Sequence, residues 1–262
     1  MSSAAVPWRW PAEFADLLTR QWQRVLDKHP HHPRESGALV GGRFGICRNV
    51  IDERVAVRCR EWLDTRLYRH LETLNKRIPP ESISEAREEY AETLEKTIRV
   101  KSAFFQRRTA RVHSVAEEYG LLQTFCSKSF VAFVETITGL SVGCDDGFQI
   151  LCYEEGDYVG PHTDHYPRST VRRNGYLDIH VMFCNDQVRH QWLVYEDSGY
   201  LCRIENLALD GALAAYRLPF WHYTTPLAGK RRSEKRARRW VLLRTFGLEG
   251  EGSMVSVRPS QP

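Results

Sequence analysis

The chain has 262 residues, 42% hydrophobic and 27% charged, a balance that supports a sizeable core and excludes a low-complexity or disordered polymer. A net charge of +4 is too small to imply a nucleic-acid partner, and no apolar run is long enough to cross a bilayer. The seven cysteines are odd in number and never spaced Cys-x-x-Cys, which argues against a disulfide framework or a thiolate zinc site and fits a reducing cytoplasm.

The periodicity predicts a first amphipathic helix over 11–29, with Phe14, Leu17, Leu18, Trp22, Val25 and Leu26 on one face. His29-Pro-His-His-Pro33 ends it as a turn with exposed histidines. Gly41 to Cys47 reads as a short strand, and Asp52 caps a helix running to about Asn75 with Val55, Trp62, Leu63, Leu67 and Leu71 inward. Pro79-Pro80 breaks the chain, Ser82 or Ser84 caps a long helix to Tyr119, and Gly120 stops it. Another helix is expected from Leu122 to Thr138, closed by Gly139. Ile98, Phe104, Phe105, Val112 and Val115 are assigned to the core.

From Phe148 the period changes from helical to alternating. Phe148–Tyr153, Leu177–Phe183, Gln191–Tyr195, Gly199–Ile204, Ala212–Arg217 and Arg239–Phe246 all read as strands. Short strands separated by turn residues suggest a jelly-roll barrel, so the fold class is α+β. The expected organisation is an N-terminal helical layer with a short strand over 1–140, a barrel core over 141–250 and a polar tail over 251–262. Cys152 and Cys184 act as small core residues.

The chemistry centres on Tyr153-Glu-Glu-Gly-Asp-Tyr-Val-Gly-Pro-His-Thr-Asp164. In an extended chain His162 and Asp164 project from one face, so an imidazole and a carboxylate converge. His222, in Phe-Trp-His-Tyr-Thr-Thr-Pro, is the candidate third ligand. Two histidines and one carboxylate make a facial triad that suits Fe(II) and leaves coordination positions open.

Tyr153, Gly156, Pro161, His162 and Asp164, followed by Gly211-Ala-Leu-Ala-Ala-Tyr216, His222-Tyr-Thr-Thr-Pro-Leu227 and Arg239-Trp-Val-Leu-Leu-Arg-Thr-Phe246, stand at offsets that resemble the prolyl-4-hydroxylase-like branch of the Fe(II)/2-oxoglutarate dioxygenases. The resemblance covers roughly residues 145–247. It implies a double-stranded β-helix with iron on His162, Asp164 and His222, O2 and 2-oxoglutarate as cosubstrates, and ascorbate as a reductant. It also implies oxidation of a C–H bond in a small-molecule or peptide substrate, with succinate and carbon dioxide as coproducts. Arg239, preceding the tryptophan, would grip the distal carboxylate of 2-oxoglutarate, with Tyr153 as its hydroxyl partner. Arg238 is the alternative if the strand is read one residue out of register. A carboxylate at Asp164 points to hydroxylation, because related halogenases carry a small residue there. Val159 stands where several relatives have tyrosine. His180, on a strand, is either a pocket residue or a core histidine, and the core is the favoured reading.

Two other readings stay open. Arg238 and Arg244 resemble the paired arginines of oxidative nucleic-acid demethylases, and Lys230 to Arg239 holds seven basic residues in ten, which read first as a solvated loop and, on this alternative, as contacts to phosphates. A jelly-roll binding protein without catalysis is the third. The sequence identifies neither the substrate nor the oligomeric state.

Overall fold

The structure is a computed structural model that describes residues 8–28, 42–78, 94–106, 108–164, 175–197, 200–230 and 236–248. Five helices occur among them: α1 (Arg20–Lys28), α2 (Glu53–Trp62), α3 (Arg111–Glu118), α4 (Leu121–Phe125) and α5 (Lys128–Thr138). The strands are β1 (Phe44–Cys47), β2 (Glu72–Arg77), β3 (Thr97–Phe104), β4 (Val142–Tyr153), β5 (Tyr158–Val159), β6 (Tyr176–Cys184), β7 (Val188–His190), β8 (Trp192–Asp197), β9 (Tyr200–Asn206), β10 (Ala212–Leu218), β11 (His222–Thr224), β12 (Ala228–Gly229) and β13 (Arg239–Leu248).

A strongly curled antiparallel sheet runs β1-β10-β6-β13-β4-β3-β2, with β5 against β3. Two smaller sheets, β11-β8-β9 and β12-β7, complete a jelly-roll architecture. Alternation along the strands sorts the core into two layers. Trp240, Leu242 and Phe246 of β13, with Ile150 of β4 and Leu177, Ile179 and Phe183 of β6, pack under the helices. Their neighbours in sequence, such as Arg239, Val241 and Leu243, turn into the barrel.

All six strands expected from Phe148 onward form. The N-terminal part departs from its helical reading. The first helix splits, because a one-turn segment at Phe14–Leu17 gives way to extended backbone at Leu18, which bridges to Ile51 before α1 begins. Asp52 caps α2 by accepting from the N–H groups of Arg54 and Val55, but the helix widens at Leu63–Leu67, tightens at Tyr68–His70 and stops. Glu72–Arg77 is then a strand, not the last turns of a helix. Likewise Thr97–Phe104 is β3, held between β2 and β4, where a continuous helix to Tyr119 was expected. The alternation Thr-Ile-Arg-Val-Lys favours a strand, and cross-strand pairing decides it. Among the described residues, three strands before position 140 therefore join the main sheet, not one.

Ser127 divides the expected Leu122–Thr138 helix, its side chain accepting from the Phe130 N–H to start α5. Gly139 ends α5 at φ +69°, a conformation that costs glycine nothing. Phe105, Val112 and Val115 are buried as expected, whereas Phe104 is 47% exposed and, with Ile98, lines the barrel cavity. The His29–Pro33 turn, the Pro79–Pro80 break with its serine caps, and the tail beyond 250 lie outside the described residues.

Candidate metal centre

The site is built where β5 leaves the main sheet. Gly160 donates its N–H to the Thr97 carbonyl at 2.8 Å, and a Cβ there would stand 2.1 Å from the Glu95 carbonyl oxygen. Only glycine allows this close approach. Two residues on, His162 and His222 form an isolated antiparallel bridge that ties the end of β5 to the start of β11. Both imidazoles are oriented by backbone. The Nδ1 of His162 lies 2.7 Å from the Gly160 carbonyl, and that of His222 lies 2.9 Å from the Phe220 carbonyl. A carbonyl only accepts, so both Nδ1 atoms carry the proton and both Nε2 atoms present lone pairs when the rings are neutral.

Those Nε2 atoms aim at one carboxylate. Asp164 Oδ2 lies 3.2 Å from Nε2 of His162 and 3.6 Å from Nε2 of His222. The three candidate ligand atoms all fall within 4.8 Å of one another. Asp164 reaches this point by a turn, not by the simple alternation of an extended strand. Its φ is +54°, a left-handed conformation that aspartate tolerates better than most residues, and Tyr176 Oη donates to its carbonyl at 3.0 Å. Burial works against a charge on His162, but the Asp164 carboxylate outweighs it and raises the pKa. For His222, burial and then the neighbouring His162 lower it to about 4. Two imidazoles and one carboxylate with this electrostatic balance suit a single cation.

Beyond the triad the cavity, of about 260 Å³, runs into the barrel toward Arg239. Arg239 is 1% exposed, and burial lowers its pKa. Its Nε donates to the Leu207 carbonyl at 2.8 Å, Nη1 to Gln191 Oε1 at 3.0 Å and Nη2 to Met182 Sδ at 3.2 Å. A guanidinium has five N–H groups, so among the described residues one on each terminal nitrogen is left to offer a ligand. Tyr153 faces it, the guanidinium carbon lying 5.3 Å from the ring centroid, and burial pushes the phenol up to about 12.

Arg238 points the other way. It donates to Asp64 and Glu154 at 3.1 Å each and stacks over Tyr68 at 3.7 Å, on the helical side of the sheet. Arg244 shares that side, its guanidinium near Cys126 and Phe148. Neither lines the cavity, so the arginine pair that resembles the demethylases does not face the metal centre. Positions 231–235 of the basic run lie outside the described residues. Of the two readings of His180, the pocket one holds over the favoured core one: it lines the cavity against Tyr216, with ring centroids 4.2 Å apart. Burial, then Arg239 and His222, lower its pKa to about 3, so it is a neutral imidazole there. Val159 also lines the cavity, while Tyr158 turns its hydroxyl to Thr97. Gln191, Met182 and Tyr176 belong to the site and were missed. An amide between two strands, a thioether within a strand and a phenol at a strand start carry no spacing signal.

No protein-family model and no curated protein sequence matches the chain. Among solved structures, a 2OG-Fe(II) oxygenase family oxidoreductase from Burkholderia pseudomallei superimposes with a TM-score of 0.53 at 10% identity, covering 86% of this chain and 90% of that one. A Pseudomonas putida prolyl-4-hydroxylase aligns over 87% of this chain and 100% of its own at 11% identity, with a lower TM-score of 0.47. At such identities the likeness concerns architecture. The chain has the jelly-roll fold of the first of these oxygenases.

Proposed function

We propose that the protein is an Fe(II)- and 2-oxoglutarate-dependent dioxygenase that hydroxylates a C–H bond of a small-molecule or peptide substrate. The observation that carries this reading is the convergence of two backbone-oriented Nε2 atoms and one carboxylate beside a buried arginine with two N–H groups to offer. His162, Asp164 and His222 would hold the ferrous ion on one face. Arg239 would take the distal carboxylate of 2-oxoglutarate through the outer N–H of each Nη, a planar fork matched to a carboxylate. Tyr153 and the neutral His180 would line the same end of the cavity. Iron and 2-oxoglutarate, once bound with O2, supply the oxidative chemistry that yields succinate and carbon dioxide, with ascorbate as an auxiliary reductant. The protein's own contribution is orientation of these groups and exclusion of water by the barrel wall. The Asp164 carboxylate occupies the position that halogenases leave for halide, which favours hydroxylation. Ile98, Val159 and Leu243 give the wall an apolar stretch, and Phe104 with Lys76 stands at its edge.

We further propose 141–250 as the catalytic core, supported by the residues before it. The test is anaerobic titration of the Fe(II) protein with 2-oxoglutarate, read by the visible charge-transfer band, followed by a succinate-release screen across substrate classes. No band with iron loading verified would sink the proposal.

A further inference from the structure

Arg239 does not find its orientation alone. Gln191 is fully buried between β7 and β8, and its side chain has both ends committed. Nε2 donates to the Asp157 carbonyl and to the Thr225 carbonyl, each at 3.2 Å. Both amide hydrogens are thereby used, and Oε1 is left to accept from Arg239 Nη1 at 3.0 Å. The amide cannot be turned over. A flip would set an NH2 against a guanidinium and an oxygen against two carbonyls.

The main chain of Gln191 makes a second link to the same arginine. Its carbonyl accepts from Leu207 N–H at 2.8 Å, and the Leu207 carbonyl accepts from Arg239 Nε at 2.8 Å. Gln191, Leu207 and Arg239 thus close a hydrogen-bonded ring that fixes two of the three guanidinium nitrogens. The third, Nη2, meets among the described residues only the soft sulfur of Met182.

The two carbonyls under Nε2 matter for another reason. Asp157 immediately precedes β5, the strand that leads through Gly160 to His162. Thr225 immediately follows β11, the strand that begins with His222. Gln191 is therefore pinned to the segments carrying both histidines and, at its other end, to the cation across the cavity. One side chain thus links the segments of the metal centre directly to the guanidinium fork.

We propose that Gln191 is a positioning residue that fixes the reach of Arg239 and so sets the chain length of the 2-oxo dicarboxylate that the cavity accepts. The inference rests on the reading that Arg239 binds the distal carboxylate of 2-oxoglutarate, and it adds what selects that acid. A ligand anchored at both ends fits only if its length matches the span. One methylene more or less mismatches the fork and costs roughly 10- to 200-fold in discrimination.

The experiment titrates anaerobic Fe(II) protein with oxaloacetate, 2-oxoglutarate and 2-oxoadipate, following the visible band, with metal affinity and melting temperature measured separately. Wild type should prefer 2-oxoglutarate to the shorter and longer acids by about tenfold or more. Gln191→Met keeps the volume but loses all three side-chain hydrogen bonds, so the fork should swing and the preference should collapse toward unity. Gln191→Glu places a carboxylate on the guanidinium and should weaken all three acids by about a hundredfold, with iron binding retained. Phe130→Leu, in the core under the helices and away from the cavity, is the control and should keep the wild-type ranking.

A merely structural role would lower melting temperature and metal affinity without changing the ratio between acids, and that result overturns the inference. So does a wild-type ratio in Gln191→Met. Gln191→Glu decides the matter should Gln191→Met fail to fold, because wild-type affinity in that variant is equally fatal. If wild type gives no band with any acid, the oxygenase reading falls and this inference with it. A band in wild type with unaltered variants removes the inference alone.

Discussion

His162 and His222 exchange both backbone hydrogen bonds, N–H to carbonyl at 3.0 Å in each direction, so the two imidazoles are spaced by main chain before any metal arrives. Their Nδ1 contacts to the Gly160 and Phe220 carbonyls then fix which nitrogen faces the site. Such outer partners of a ligand are worth about 10- to 100-fold in metal affinity. Gly160→Ala should therefore weaken metal binding by about that factor although it removes no ligand, because the added Cβ meets the Glu95 carbonyl and displaces the Gly160 carbonyl. Calorimetric titration with Fe(II) or Co(II) checks it, and unchanged affinity would show that the close approach is relieved without moving His162.

Asp164→Asn separates charge from shape. Asparagine tolerates the left-handed φ that this position requires, so the fold should keep its melting temperature. Metal affinity should fall further than the ~10- to 100-fold expected for an outer partner, since a ligand charge is lost. Wild-type affinity in this variant would remove Asp164 from the proposed ligand set.

The two neighbouring arginines should fail in different ways. Arg239→Ala should cost 2-oxoglutarate affinity by about a hundredfold or more while iron still binds, because the distal carboxylate is left desolvated and unpaired. Arg238→Ala should leave that affinity intact and lower stability by about 1–3 kcal/mol, through lost charged hydrogen bonds to Asp64 and Glu154. Band titration and thermal melting of both variants distinguish the cases, and a reversed pattern would mean that the roles are exchanged.

Phe130 tests the helical layer without touching the cavity. It is fully buried, with ring centroids 4.7 Å from Phe14 and 5.2 Å from Phe125. Phe130→Ala should destabilise by about 3–5 kcal/mol through the cavity it opens. Metal affinity of the folded protein should stay at the wild-type value. Chemical denaturation and metal titration read the two quantities, and a large metal defect would show that the layers are not separable.

The barrel was legible because its strands carry a period of two with turn residues between them, and His162, Asp164 and His222 stood out by their chemistry and flanking residues, although Asp164 meets the histidines through a left-handed turn and not through that period. The N-terminal third was misread for a physical reason. Glu72–Arg77 is polar on almost every residue, so nothing local marks it as a strand, and only pairing with β3 makes it one. Thr97–Phe104 has the alternation, but it lies in a charged stretch that reads equally well as helix. Helix breaks at Leu18 and Ser127 depend on partners distant in sequence or on a single hydroxyl. Gln191 was invisible because its role comes entirely from three segments that meet only in the folded chain.

The back-to-back arrangement of Arg238 and Arg239 has a consequence for how the last strand finds its place during folding. A shift of β13 by one residue would turn Arg239 toward Asp64 and Glu154 and thrust the Trp240 indole into the barrel. The slipped molecule would forfeit the indole hydrogen bond to Asp64 and the ring at Gln191, and the indole would plug the space meant for ligand. Asp64 and Glu154 would still meet an arginine in the slipped molecule, so the penalty falls on the misplaced indole and on the emptied ring at Gln191. The final strand closes the barrel between β4 and β6 with its alignment decided by where the Trp240 indole and the Arg239 ring can be housed, which widens the energy gap between the native pairing and its nearest competitor.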